Sequence, residues 1–115
     1  METKRQQKVA RQIKKDLSEI LMHTTRDVTQ GRMITVTMVR MSPDLSLAKV
    51  YLSVFPSDDS AGFLDHLQYY VKHIRLELGK KIRHQLRMVP ELVFFVDDSL
   101  DYAERIDGLL KSPTD

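Results

Sequence analysis

The hydrophobic period of this chain switches between that of a helix and that of a strand, segment by segment, and the switching leaves few folds open. From about Lys4 to about His23, Val9, Ile13, Leu17, Ile20 and Leu21 recur at helical spacing and form one apolar stripe. Around Gly31 the period drops to two. Ile34, Val36 and Met38 alternate with Thr35, Thr37 and Val39, giving a β-branched strand over about Met33–Met41. Ser42-Pro43-Asp44 supplies turn chemistry. A second strand follows, with Ala48, Val50, Leu52 and Val54 on one face and Lys49, Tyr51 and Ser53 on the other. The pair reads as an antiparallel hairpin with one buried face.

Pro56 to Ser60 forms a loop, with Asp59 or Ser60 as the cap of the next helix. From about Ala61 to Leu86, Phe63, Leu67, Val71, Ile74, Leu78 and Ile82 restore the helical stripe. At 1.5 Å per residue such a helix would be about 40 Å long, too long for so small a domain unless it breaks. Gly79 is one position for the break, since glycine is a poor helix former. Val89 to Asp97 reads as a third strand with apolar residues on both faces, hence well buried. Asp98 or Ser99 then caps a short helix through about Leu110, with Asp101 near its positive end. The fold class is α+β: helix, two strands, a kinked helix, a strand and a short helix, with a three-stranded sheet packed on the helices.

Composition narrows the function classes. At 115 residues the chain is one domain, spanning 1–115, with ends 1–3 and 111–115 expected to be flexible. It contains no cysteine, which removes disulfides and thiolate metal sites and fits a cytoplasmic location. No window reaches the length of a membrane span, and no apolar core follows the basic N-terminus as in a secretory signal.

The net charge of +2 conceals a segregated pattern. Residues 1–15 carry Lys4, Arg5, Lys8, Arg11, Lys14 and Lys15 against Glu2 alone. Residues 72–87 carry Lys72, Arg75, Lys80, Lys81, Arg83 and Arg87 against Glu77 alone. Beyond Val89 the balance turns acidic. Lys72, Arg75, Lys80, Arg83 and Arg87 read as one cationic arc of the long helix, with His84 inside the run. Lys8, Arg11 and Lys15 form a second cationic stripe on the first helix. Gly79 falls within the arc, where a missing side chain would let a phosphate approach the backbone. A solvated helix face explains either stripe alone. Two such helices on one sheet make a continuous nucleic-acid surface the sharper reading.

Other chemistry finds little support. His66 and His73 could share a helix face, but no partnering ligand and no HExxH pattern accompanies them. Asp97, Asp98 and Asp101 are explained as cap and dipole partner. Tyr51, Phe55, Tyr69, Tyr70 and Tyr102 could stack on bases, although aromatics at such spacings usually belong to a core or its rim. With no phosphate loop, serine elbow or carboxylate pair, the sequence reads as a non-enzyme with no cofactor, no metal and no small-molecule substrate.

The frame and basic surface are compatible with a KH-type RNA-binding domain. The stretches TVTMVRMSPDLSLAKVYLSVF, HIRLELGKKIR and RMVPELVFFVDDSLDYAERIDGLL, with KVARQIKKDLSEIL at the start, resemble the bacterial ribosome-binding factor A family over about Lys4–Leu110. The resemblance implies a type II KH-like domain that binds the free small (30S) ribosomal subunit. It implies a role in late maturation and processing of 16S rRNA, important in the cold. It further implies release linked to an assembly GTPase or an initiation factor, and a monomer is expected.

The family's long helix is commonly kinked at an Ala-x-Gly. The matching positions here are Tyr70, Val71 and Lys72, so that motif is missing. Either the kink survives without it, or the break has moved toward Gly79. The run Arg83 to Arg87 is longer than the usual form, and the tail after Leu110 is shorter than in many members. Two other functions fit the charge pattern: a KH-like module for single-stranded RNA outside the ribosome, and a protein-interaction domain for an acidic partner.

Overall fold

The computed structural model describes residues 2–97. Helix α1, Lys4–His23, starts at Thr3, whose hydroxyl accepts from the Gln6 amide while Gln6 Oε1 accepts from the Thr3 amide. This reciprocal box satisfies two otherwise orphaned donors. Gln6 is also buried, and its Nε2 donates to the Met41 carbonyl at 3.0 Å. One amide side chain thereby caps the helix and ties it to the end of the first strand. The stripe expected from the spacing is the buried one: Val9, Ile13, Leu17, Ile20 and Leu21 all face the core.

Helix α2, Arg26–Thr29, is a single turn with buried Val28 that no periodicity announces. It ends at Gln30 in the left-handed region, followed by Gly31 at φ 74°. Strands β1, Met33–Met41, and β2, Leu47–Phe55, pair antiparallel, with a bulge at Thr37 between Val36 and Met38. Their turn is organised by Asp44, whose Oδ1 accepts from the Ser42 hydroxyl and from the amide and hydroxyl of Ser46. Arg32 fastens the other end of the hairpin. Its Nη1 donates to the Pro56 and Asp58 carbonyls, and its guanidinium lies 5.3 Å from the Phe63 ring centre.

The long helical pattern divides into α3, Ser60–Gln68, and α4, Val71–Ile82. The break lies at Tyr69–Tyr70, and α4 runs unbroken through Gly79, so glycine is not the breaking residue. Tyr70 sits at φ −106° and ψ 3°, a conformation open to any L residue, so the break needs no glycine. The amides of Tyr69 and Tyr70 tighten the end of α3 by bonding the His66 and Leu67 carbonyls. The His66 ring meets Tyr70 edge-on at 5.2 Å, and its Nε2 lies 2.7 Å from the Asp27 carbonyl. His66 therefore links α3 to α2, and His73 belongs to the other helix.

The helix also ends earlier than Leu86. After Ile82 the chain closes with turn bonds from Gln85 and Leu86 to the Ile82 carbonyl, which sets Leu86 in the core and takes Arg87 off the helical register. Strand β3, Glu91–Val96, pairs parallel with β2, giving the order β1-β2-β3. The expectation that both faces of this strand are buried does not hold among the described residues. Leu92 and Phe94 are buried, whereas Val93 and Phe95 are 37% and 38% exposed. The described helices cover one face of the sheet: α1 packs on β1 and α4, and α3 on β3. The expected helix from Asp98 or Ser99 to Leu110 lies outside the described residues.

Candidate nucleic-acid interface

Alternation of apolar and charged residues on α1 turns Lys8, Arg11 and Lys15 outward as an exposed ridge. Lys14 flanks it. Together with Arg11 and with Arg40 of β1 it lines a shallow groove beside the outer edge of the sheet. The ridge lies along the helix face opposite Ile13 and Leu17, which are fully buried. It is thus held by the core without being part of it.

The cationic arc of the second basic segment is more divided. Lys72, Lys80, Arg83, His84 and Arg87 are exposed. Lys80 pairs with Glu77 at 3.3 Å, one turn away on the same helix. Lys81 Nζ reaches Glu19 of α1 at 3.0 Å. The hydrogen bond and charge of Lys81 hold the Glu19 carboxyl below its ordinary range. This pair joins the two basic helices at the surface. Being exposed, it orients them and adds little stability.

Arg75 faces elsewhere. It is half-buried, and its Nη2 and Nε donate to the carbonyls of Val89 at 2.9 Å and Pro90 at 3.1 Å. Those bonds clamp α4 to the lead-in of β3. Gly79, one turn on, faces the same segment: a Cβ there would meet Val89 Cγ2 at 2.9 Å. The absent side chain makes room for Val89 and not for a phosphate, which corrects the expectation for Gly79.

A larger groove, about 700 Å³, opens where the start of α1, the β1–β2 turn and residues 86–91 converge. Arg5, Arg75 and Arg87 line it along with Asp44. Arg5, Lys14 and Arg40 were missing from the sequence-derived set. The period-two pattern alone sets Arg40 on the face of Val36, which is buried, and the bulge at Thr37 turns it outward; Arg5 needed the fold to bring it to Arg87. Among the described residues, no three His, Asp or Glu side chains gather where they could hold a metal ion, and no helix is long and apolar enough to cross a membrane.

A three-stranded sheet backed on one face by an amphipathic helix and a broken helix, with exposed cations along both, defines a KH-like α+β domain. Residues 5–110 match the sequence profile of the family described as Ribosome-binding factor A. A ribosome-binding factor A of Cytophaga hutchinsonii is 43% identical over 114 residues, covering 99% of this chain and 86% of that protein. One from Flavobacterium johnsoniae is 44% identical over 111 residues, covering 96% and 85%. The crystal structure of ribosome-binding factor A from Thermus thermophilus superimposes with a TM-score of 0.63 at 25% identity, covering 79% of this chain and 94% of that one. A Thermus thermophilus homology model fitted into a cryo-EM map of a 30S complex gives 0.61 at 26% identity, over 77% and 91%. The chain belongs to the ribosome-binding factor A family.

Proposed function

We propose that this protein binds the small ribosomal subunit during its assembly and grips immature 16S rRNA through the exposed cations of α1 and α4. The observation that carries this reading is the outward ridge of Lys8, Arg11 and Lys15 on a fold similar to one fitted into a 30S complex. Phosphate contacts of this kind position a protein but read little sequence, so selectivity comes from RNA shape and neighbouring proteins. The domain holds one geometry of an rRNA junction and keeps the subunit from premature use. Processing of the 16S ends, importance in the cold, and release by an assembly GTPase or initiation factor complete the proposal, as does a cytoplasmic, non-enzymatic role.

The test uses purified small subunits and the variant Lys8→Glu, Arg11→Glu, Lys15→Glu. All three side chains are exposed, so folding should be unchanged. Losing several phosphate contacts should weaken binding by about 10-fold or more at about 0.1 M salt and flatten its salt dependence. Unchanged affinity and salt slope would remove α1 from the interface. Arg75 is unsuitable for such a test because its bonds to Val89 and Pro90 are structural.

A further inference from the structure

Strand β1 is one edge of the sheet among the described residues, and α1 runs beside it in the opposite direction. Gln7, Arg11, Lys14, Ser18 and Met22 recur at three and four residues along the flank of α1 next to this edge. Two grooves lie end to end between that flank and the strand. One, about 300 Å³, takes in Thr37 to Arg40, and the other, about 680 Å³, takes in Met33 to Thr35. From Gln7 to Met22 the helix rises about 22 Å, and from Met33 to Arg40 the strand spans about 23 Å. The two walls are thus matched over about seven residues of extended chain.

The outward main-chain groups of the strand line this trench. At the hairpin turn the Ser42 amide donates to the Leu47 carbonyl, which makes that pair a hydrogen-bonded rung. Alternation assigns the next rungs to Arg40 with Lys49 and Met38 with Tyr51, and turns Met41 and Val39 outward. The Met41 carbonyl agrees, since it accepts from Gln6 of α1 at 3.0 Å. Among the described residues nothing bonds the outward amide and carbonyl of Val39. Such an edge offers a donor and an acceptor side by side. A polypeptide strand satisfies both, whereas the phosphates of an RNA backbone only accept. Charge divides the trench along its length. Arg11, Lys14 and Arg40 stand against Glu2 at one end. At the other, Met22 and Met33 are 76% and 70% exposed. Arg32 there is committed to the Pro56 and Asp58 carbonyls, which leaves Arg26 as the cation of that end.

We propose that this trench takes an extended peptide of a partner protein, which pairs with β1 as a fourth, antiparallel strand. Antiparallel pairing puts the first residues of the peptide beside Arg40 and its last ones beside Met33. The fitting peptide is therefore acidic at its start, to meet Arg11, Lys14 and Arg40. It turns apolar about five residues later, to meet Met22 and Met33. Main-chain bonds supply affinity, and the unlike ends of the trench fix the direction. Arg11 is common to this surface and to the ridge proposed for rRNA, while Lys8 and Lys15 lie outside the trench. The two surfaces can therefore be tested apart.

Nuclear magnetic resonance on the labelled full chain tests this with an end-capped synthetic peptide: two aspartates, then alternating threonine and valine, then two leucines. Its addition should shift the amides of β1 and of the α1 flank from Gln7 to Met22, and should protect the Val39 amide from exchange. Methylating the peptide nitrogens at odd positions, and in a second peptide at even ones, reads the main-chain pairing directly. One series should bind about 10-fold more weakly and the other should bind as before, since only alternate amides face β1. The variant Lys14→Glu, Arg40→Glu should weaken binding by about 10-fold, and Lys8→Glu, Lys15→Glu should leave it unchanged. All four side chains are exposed, so folding is not at stake. Absence of shifts along β1, or equal loss in both methylated series, overturns the proposal. So does either rival occupant: free protein that sediments as a dimer paired through β1, or the same shifts and Val39 protection on adding a single-stranded oligouridylate instead of the peptide.

Discussion

A methyl group added at Gly79 would come within 2.9 Å of Val89 Cγ2, closer than carbon atoms tolerate. Alanine in a helix gains about 1 kcal/mol over glycine, whereas overpacking costs about 1–3 kcal/mol. We therefore expect Gly79→Ala to lose about 1 kcal/mol by denaturant titration, the difference between those two effects. In a Val89→Ala background the same change should become stabilising; a loss of equal size in both backgrounds would show that Val89 is not the obstacle. Asp44 offers a titration. Hydrogen bonds from the Ser46 hydroxyl, then the Ser42 hydroxyl and the Ser46 amide, lower its carboxyl from 3.8 to about 2. Since the folded value lies below the unfolded one, its contribution to stability is complete above pH 3.8 and disappears as pH falls through about 2. Ser46→Ala should return the Asp44 midpoint toward 3.8, read by carbon-detected titration; a midpoint that stays put would mean that Ser46 is not the main cause.

The elements were legible where a period ran long enough to be seen. The α1 stripe and both hairpin strands fall where the spacing of Val9 to Leu21 and of Ile34 to Val54 put them. The site of the helix break was not legible. Its backbone is one that any residue can adopt, and the contact that fixes the end of α3 there, His66 to the Asp27 carbonyl, joins parts of the chain far apart in sequence. Short α2 escaped because one turn carries no period. The exposed faces of Val93 and Phe95 were misread because apolar residues on both sides of a strand look the same whether or not anything covers the second side. At this scale we predict that Tyr70→Ala loses about 1–3 kcal/mol of packing while the break persists, because φ and ψ there need no particular side chain. Sequential amide NOEs across residues 68–72 decide the matter; a continuous helix in the variant would mean that the Tyr70 side chain makes the break.

For the whole molecule, the charge pattern of the sequence was a sound guide to which segments are cationic and a poor one to which cations face outward. Lys8, Arg11 and Lys15 stand clear of the core, while Arg75, drawn into the same arc by its spacing, spends its donors on two backbone carbonyls. Only the fold distinguishes them, because a helical wheel does not know what packs against it. The fold also brings Arg5 and Arg87 to one groove from distant parts of the chain. An interface built mainly of exposed Lys and Arg should be strongly salt-dependent. The most direct measurement is sedimentation of the tagged protein from a cell lysate, with gradient fractions probed at low and moderate salt. We predict co-migration with free small subunits, absence from complete ribosomes, and loss of that co-migration in the Lys8, Arg11 and Lys15 reversal variant. Protein that stays at the top of the gradient at both salts would contradict binding to the subunit.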